Sequence, residues 1–423
     1  MCFIQKNGNI QSVRDFVEPR VKISGGKMVQ METARFEREK GKNMGKSVVQ
    51  FRRVIVIGGA FIGLLIGSGF TTGQEIMQYF VSFGWMGIAA TIMMFIGYVY
   101  IGLSLVSVGA EQKFKEPRHI YQYYCGKKLG TFFDWFGTAF QYMSFWVMVS
   151  GAGAAVNQQF GLPNWVGGLG LALLTIVVLF FGFSKLVDIV GSIGPVVSCL
   201  AIALGIAGIC MNPEGLATFA EDVVPLVTDG TIKQAGSNWF TACASYLGFC
   251  LFWLATFMTN VGAEANSKKE AGLGAIFGSG LYSVAVLILM FGLAANVTEV
   301  GGQQIPTLVL ATKIFPALGI IYTIIVFTEI FTTAGPLLWS PCKRLCADEK
   351  SKKYRLLLVC LGLVGTLVGL FVPFDALINV VYVLNGYVGF IFLGLMVITD
   401  IRVRIMKKHT PAIVKELEAA KQN

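Results

Sequence analysis

The sequence predicts an all-α integral membrane protein of about ten transmembrane helices, the first and sixth of them discontinuous. Three observations predict it. Of the 423 residues, 55% are hydrophobic and only 14% charged, where an average soluble domain has about 25% charged; the mean hydropathy is +0.66. Apolar runs long enough to cross a bilayer recur along the chain. Two of those runs are interrupted near their middle by glycine and polar residues. The composition excludes a secreted disulfide module, a disordered tail protein and most soluble enzymes.

A helix needs about 20 apolar residues to cross the hydrocarbon. Such runs lie at 54–80, 85–110, 132–156, 165–183, 187–211, 239–261, 272–296, 317–338, 356–371 and 377–401. The ninth is short, so nine or eleven spans are the alternatives. An even number puts both tails on one side. The transmembrane domain is thus 54–401, flanked by basic tails at 1–53 and 402–423.

The formal charge of +10 sits in those tails. Residues 1–53 hold 12 Lys/Arg and 5 Asp/Glu, residues 402–423 hold 6 and 2, and the segment between them holds 16 and 17. A basic tail beside a span points to the cytoplasm and to anionic lipid, not to nucleic acid. The loops agree. Lys113, Lys115, Arg118, Lys127, Lys128, Lys185, Lys268, Lys269, Lys343, Arg344, Lys350, Lys352, Lys353 and Arg355 fall on one side, and only Lys233 and Lys313 on the other. Both termini are expected in the cytoplasm. The first tail lacks helical periodicity and reads as disordered, with no cleavable signal ahead of the first span. Met44, just before Arg52 and Arg53, is an alternative translation start. The nine cysteines are scattered, and with only His119 and His409 as further donors no metal site is expected.

The first span holds the most informative stretch, Gly58 to Glu75. Its helix meets Gly67-Ser68-Gly69 halfway across and then Thr71-Thr72-Gly73. Glycine costs a helix about 1 kcal/mol and lets the backbone leave helical geometry. A second half-helix beginning near Phe70 would present free N–H groups suited to a carboxylate, and the carbonyls left behind suit a small cation. Glycines also serve close helix packing, as the spacing of Gly59 and Gly63 allows. Gln74 and Glu75 are costly at this depth unless they face protein or water. The sixth span carries a weaker interruption, Ser245 to Gly248. Spans one and six correspond if ten spans form two five-span repeats of inverted topology.

The run GAFIGLLIGSGFTTGQEI resembles the first-span signature of YkvI-type membrane proteins, close to GxxxGxGFASGQE. These are regarded as amino-acid permeases of the amino acid–polyamine–organocation superfamily. The resemblance covers about residues 50–405, with its specificity in that motif. It implies the LeuT fold, a 5+5 inverted repeat with a substrate site between spans one, three, six and eight, in a bacterial cytoplasmic membrane. It further implies a substrate carboxylate on the unwound backbone at Gly67, Ser68 and Gly69, with Phe70 and Gln74 beside it. Tyr142 of span three and Ser245, Gly248 and Phe249 of span six would complete the pocket. A sodium ion would be held by the carbonyls of Gly63 and Ile66 and the hydroxyls of Thr332 and Thr333, an incomplete oxygen shell. Glu329, on the same helical face as those threonines, departs from the simplest sodium pattern. It could be an ion ligand, a proton carrier or a substrate-amine partner, and Glu75 is a further candidate for proton or ion coupling.

Each residue has a plainer role open to it. Thr332 and Thr333 can bond back to their own helix, and Tyr142 can be a packing residue. Asp134, Asp188, Asp375 and Asp400 lie near span ends, where they suit structural pairing. A mid-span carboxylate such as Glu329 is functional by default.

The expected function is a secondary transporter of an amino acid or similar small zwitterion, coupled to Na⁺ or H⁺ and using no cofactor. There is no phosphate-binding Walker loop. The alternative is a ligand-sensing membrane protein of the same fold, germinant-receptor-like, without flux. An intramembrane enzyme would need acid–base groups, and a channel a ring of filter residues; neither pattern is present in the sequence.

Overall fold

The structure is a computed structural model that describes residues 49–114, 116, 118–181, 194–406, 411, 413 and 414. The tails at 1–53 and 402–423 lie outside these residues except for their inner ends, as do Met44, Lys115, Lys185, Asp188 and His409. The described residues form helices and connecting turns, with no strand among them.

The first predicted span is three helices, α1 (Phe51–Leu65), α2 (Ser68–Thr72) and α3 (Gln74–Tyr79). There follow α4 (Met86–Gln112), α5 (His119–Phe160), α6 (Asn164–Phe180), α7 (Gly194–Met211) and α8 (Gly215–Thr228). The second half comprises α9 (Trp239–Glu264), α10 (Lys268–Ala294), α11 (Pro306–Ile314), α12 (Pro316–Leu345), α13 (Lys352–Phe371) and α14 (Phe374–Arg404). The last widens to a π-helical turn over Ile378–Tyr382.

Among the described residues, α4, α9, α10, α12, α13 and α14 are long and apolar enough to cross a membrane. The other predicted spans fall on helices that are divided, bent or shorter. The third begins earlier than its apolar run, at His119, and is interrupted at Gly126, whose φ of 72° lies in the left-handed region. The outer segment after the fifth is not a plain loop: α8 turns back at 100° to the helix before it.

The helices pack in two groups. In one, α9 lies between α4 and α14, and α10 lies against α4, α1 and α7. In the other, α5 lies against α12, α6 and α13. Predicted spans one, two, six and seven are thus in the first group, and three, four, eight and nine in the second.

The sixth span differs from its expected form. It is one unbroken helix from Trp239, capped by Asn238, whose side chain accepts from the backbone N–H of Thr241 at 2.9 Å. The Ser245–Gly248 stretch is a contact surface instead of a break. A Cβ on Gly248 would lie 1.9 Å from the carbonyl oxygen of Gly386, and one on Gly389 would lie 2.0 Å from that of Gly248. Lipid tails are as apolar as leucine, so helices associate in a bilayer by close backbone approach at small residues. The same device joins α4 to α9, where a Cβ on Gly262 would stand 2.2 Å from the carbonyl oxygen of Val106. In α1 the close-packing glycine is Gly58, against Gly274 and Gly278 of α10, whereas Gly59 and Gly63 have nothing within 4 Å.

This predicts opposite outcomes for two substitutions in detergent. Gly248→Val should lower the melting temperature sharply or abolish the monodisperse peak, because backbone of α14 blocks the new side chain. Gly59→Ala should leave stability unchanged or raise it by up to about 1 kcal/mol, the helix-propensity difference.

Candidate functional site

The site is built on the interruption of the first span. The backbone N–H of Ile66 makes the last bond of α1, to Ile62 at 2.9 Å, and Gly67 is extended at φ −118° and ψ −174°. The carbonyl of Gly67 opens α2 by accepting the N–H and the hydroxyl of Thr71, both at 3.1 Å. Gly73 then turns the chain at φ 82°, where a side chain is strained and a Cβ would lie 2.9 Å from Thr307.

That turn strips the Thr71 carbonyl of its helical donor. Two hydroxyls replace it: Thr307 of α11 donates at 2.8 Å and Tyr322 of α12 at 2.6 Å. Both are buried. Irregular backbone is therefore held by the protein itself, as the hydrocarbon region requires.

Gly69 has a different task. A Cβ there would stand 2.0 Å from Oε1 of Glu75, so the Glu75 side chain folds back over the start of α2 in the space glycine leaves. Tyr246 of α9 donates to the other oxygen, Oε2, at 3.2 Å, and shares a hydrogen bond of 2.7 Å with Tyr282 of α10. The Tyr79 ring lies 5.1 Å from that of Tyr246, and Phe249 is stacked on Tyr382 at 4.8 Å. Tyr98 closes the cluster 5.9 Å from Tyr282. Among the described residues, Ser68 Oγ, Glu75 Oε1 and the hydroxyls of Tyr79, Tyr98 and Tyr382 are buried there without a hydrogen-bond partner. Gly67 is buried too, yet a side chain on it would meet nothing within 4 Å.

The residues expected from sequence divide accordingly. Ser68, Gly69, Phe70, Glu75 and Phe249 converge on this cluster, with Phe70 placed 5.4 Å from Tyr282. Gly67 borders it. Ser245 and Gly248 instead face α14, and the Ser245 hydroxyl donates to the Val383 carbonyl at 3.1 Å. Gln74 turns outward and donates to the Gln303 carbonyl at 2.6 Å. Tyr142 is half-buried and donates to the Leu361 carbonyl of α13 at 2.8 Å, so it is occupied between helices of the second group. Gly63 is exposed and Ile66 buried. Thr332 donates to the Glu329 carbonyl of its own helix at 2.8 Å, and Thr333 is half-buried. Glu329 is buried, with Oε2 unpartnered. Of the span-end aspartates, Asp134 pairs with Arg344 at 2.5 Å, Asp400 with Arg404 at 2.9 Å and Asp375 with Lys233.

Towards the predicted outer side the cluster is covered by amides. Gln78 donates to Gln74 at 3.2 Å and to the Asp375 carbonyl at 2.9 Å. Asn379 donates to Gln78 at 3.1 Å and to the Gln234 carbonyl at 2.8 Å. Above them is a narrow cleft bordered by Gln74, Gln78, Lys233 and Asp375. Of these residues the sequence pointed to Gln74 and Asp375 but not to Gln78, Gln234, Asn379 or the tyrosines. Tyrosines within spans at 85–110, 239–261, 272–296 and 377–401 were the available signal, because each hydroxyl buried in hydrocarbon needs a partner.

The Thr71 carbonyl yields a prediction of non-additivity. Thr307→Val or Tyr322→Phe alone leaves one donor and should cost about 1 kcal/mol. The double variant leaves a buried carbonyl with none and should cost about 1–3 kcal/mol more than the sum, read as melting temperature in detergent.

No protein-family model matches the chain. The uncharacterized membrane protein YkvI of Bacillus subtilis (strain 168) is 23% identical over 336 residues, covering 79% of this chain and 92% of that protein. YyaD of the same organism is 22% identical over 302 residues, covering 71% and 84%. Among solved structures, MhsT in complex with L-phenylalanine superposes with a TM-score of 0.56 at 16% identity, over 82% of this chain and 89% of that one. The chain is a multi-pass membrane protein homologous to YkvI and built on the LeuT-like fold of MhsT.

Proposed function

We propose that this protein is a secondary transporter that carries an amino acid or similar small zwitterion across the bacterial cytoplasmic membrane, with both termini cytoplasmic. The observation that carries the reading is the interruption at Ile66–Gly67, beside a buried cluster of unpartnered polar groups at mid-span. Such groups are costly in a protein interior unless something pairs with them. A small polar substrate arriving there supplies the missing partners. Likeness in fold to MhsT, solved with L-phenylalanine, supports an amino acid as the first class to test.

Alternating access is the mechanism that suits two groups of helices meeting around a midplane site. The first group carries Ser68, Glu75, Tyr98, Tyr246 and Tyr282, and α12 of the second packs on α2. Rocking of one group against the other opens the cluster to each side in turn. Glu329 is the candidate for proton coupling, as a buried carboxylate with one unpartnered oxygen. Gly63, Ile66, Thr332 and Thr333 remain the candidate sodium ligands.

The deciding experiment is uptake of radiolabelled amino acids into proteoliposomes, with and without Na⁺ and pH gradients. Accumulation of at least one amino acid is expected, and its absence under every gradient refutes the transporter. Gly69→Leu should abolish uptake while the protein stays monodisperse. Glu329→Gln should flatten the pH dependence of uptake, and an unaltered profile removes that residue from coupling. Thr333→Ala should weaken Na⁺ dependence if sodium is the coupling ion.

A further inference from the structure

Glu75 stands where the sequence placed a substrate carboxylate. The start of α2 was expected to receive the substrate's negative end at Gly67, Ser68 and Gly69, but the chain's own carboxyl group covers Gly69. From this we infer that Glu75 is the receptor for a substrate ammonium group, so that the substrate is held amine-first within the tyrosine cluster. The inference rests on the transporter reading and sets the chemical class of its substrate: a compound with a free amine.

Three features support it. Glu75 is 1% exposed, and only one of its oxygens has a hydrogen bond, from Tyr246 at 3.2 Å. Among the described residues no lysine, arginine or histidine pairs with it. A carboxyl group buried without a cation either bears a large desolvation cost or holds a proton, and a bound ammonium group lets it stay ionised. The second feature is the wall. Tyr246 meets this carboxylate with its hydroxyl, Tyr282 bonds to Tyr246, and the Tyr79, Tyr98 and Tyr382 hydroxyls lie in the same cluster without a hydrogen bond. Hydroxyl oxygens without a hydrogen bond can accept from the N–H groups of an ammonium. The third is the place left for the other end. Gly67 is buried with nothing within 4 Å of where its side chain would be, and Ser68 Oγ makes no hydrogen bond, so a zwitterion's carboxylate is assigned to that end, beside Gly69 instead of over it.

The test is equilibrium binding to the full chain in detergent, without any gradient, so that ion coupling does not enter. The probes are the twenty proteinogenic L-amino acids and their N-acetyl derivatives, screened by thermal shift and followed by calorimetry on the amino acid that stabilises most. Wild-type protein should bind that amino acid and not its N-acetyl derivative. Glu75→Gln, which is isosteric and keeps an acceptor for Tyr246, should bind it at least tenfold more weakly. Gly69→Ala, which keeps the charge but displaces the carboxyl, should weaken binding similarly and stands in if Glu75→Gln does not fold. Binding by Glu75→Gln within twofold of wild type, or equal wild-type affinity for the N-acetyl derivative, overturns the inference and leaves the transporter reading intact. Stabilisation by no amino acid overturns both.

Discussion

A backbone carbonyl in hydrocarbon has no water to fall back on, and this constraint shapes the centre of the protein. Ending α1 at Leu65 and turning the chain again at Gly73 releases backbone groups that a continuous helix would have paired. The Thr71 carbonyl shows how the debt is met, with one hydroxyl from α11 and one from α12. Those two bonds join the interrupted span to the second group of helices. The break and the helices around it are therefore interdependent: without Thr307 and Tyr322 the irregular backbone is unpaired, and without the break those hydroxyls are unpaired in their turn.

The rest of the fold is held by contact instead of by hydrophobic exclusion. In a bilayer, burying apolar surface against another helix only exchanges lipid contacts for protein contacts, so close approach decides which helices stay together. Gly248, Gly386 and Gly389 bring α9 and α14 backbone to backbone. Gly262 does the same for α9 and α4, and Gly58 for α1 and α10. The opposite face of α1 is open, since Gly59 and Gly63 have nothing within 4 Å. The fold combines a closely joined set around α9 with an α1 that packs on α10 along one face only and ends at a break.

Much of this was legible in the sequence, for identifiable reasons. Hydropathy located the long apolar helices, six of which among the described residues are long enough to cross a membrane, because bilayer thickness fixes their length. The interruption of the first span was legible because Gly67, Gly69 and Gly73 cluster within one turn or two, and each serves a distinct purpose: room beside the backbone, space for Glu75 and a positive φ. The sixth span misled because a single glycine beside a serine has the same appearance in a break and in a tight contact; only the partner helix distinguishes them, and Gly386 is 138 residues away. Tyr142 misled for a similar reason, since depth in the membrane is readable from sequence but the facing helix is not. The tyrosine cluster draws on five separate segments, which no local pattern links.

The layer of amides over the site bears on how the protein responds to membrane potential. Gln74, Gln78, Gln234 and Asn379 carry no charge, and Lys233 and Asp375 form a neutral pair. Moving one elementary charge through 100 mV involves about 2.3 kcal/mol of electrical work. Because the layer carries no net charge, its displacement as a unit does no electrical work; work would arise only if Lys233 and Asp375 moved apart along the field. In the proposed transport cycle, electrical work would fall instead on Glu75, Glu329 and any cations bound with the substrate.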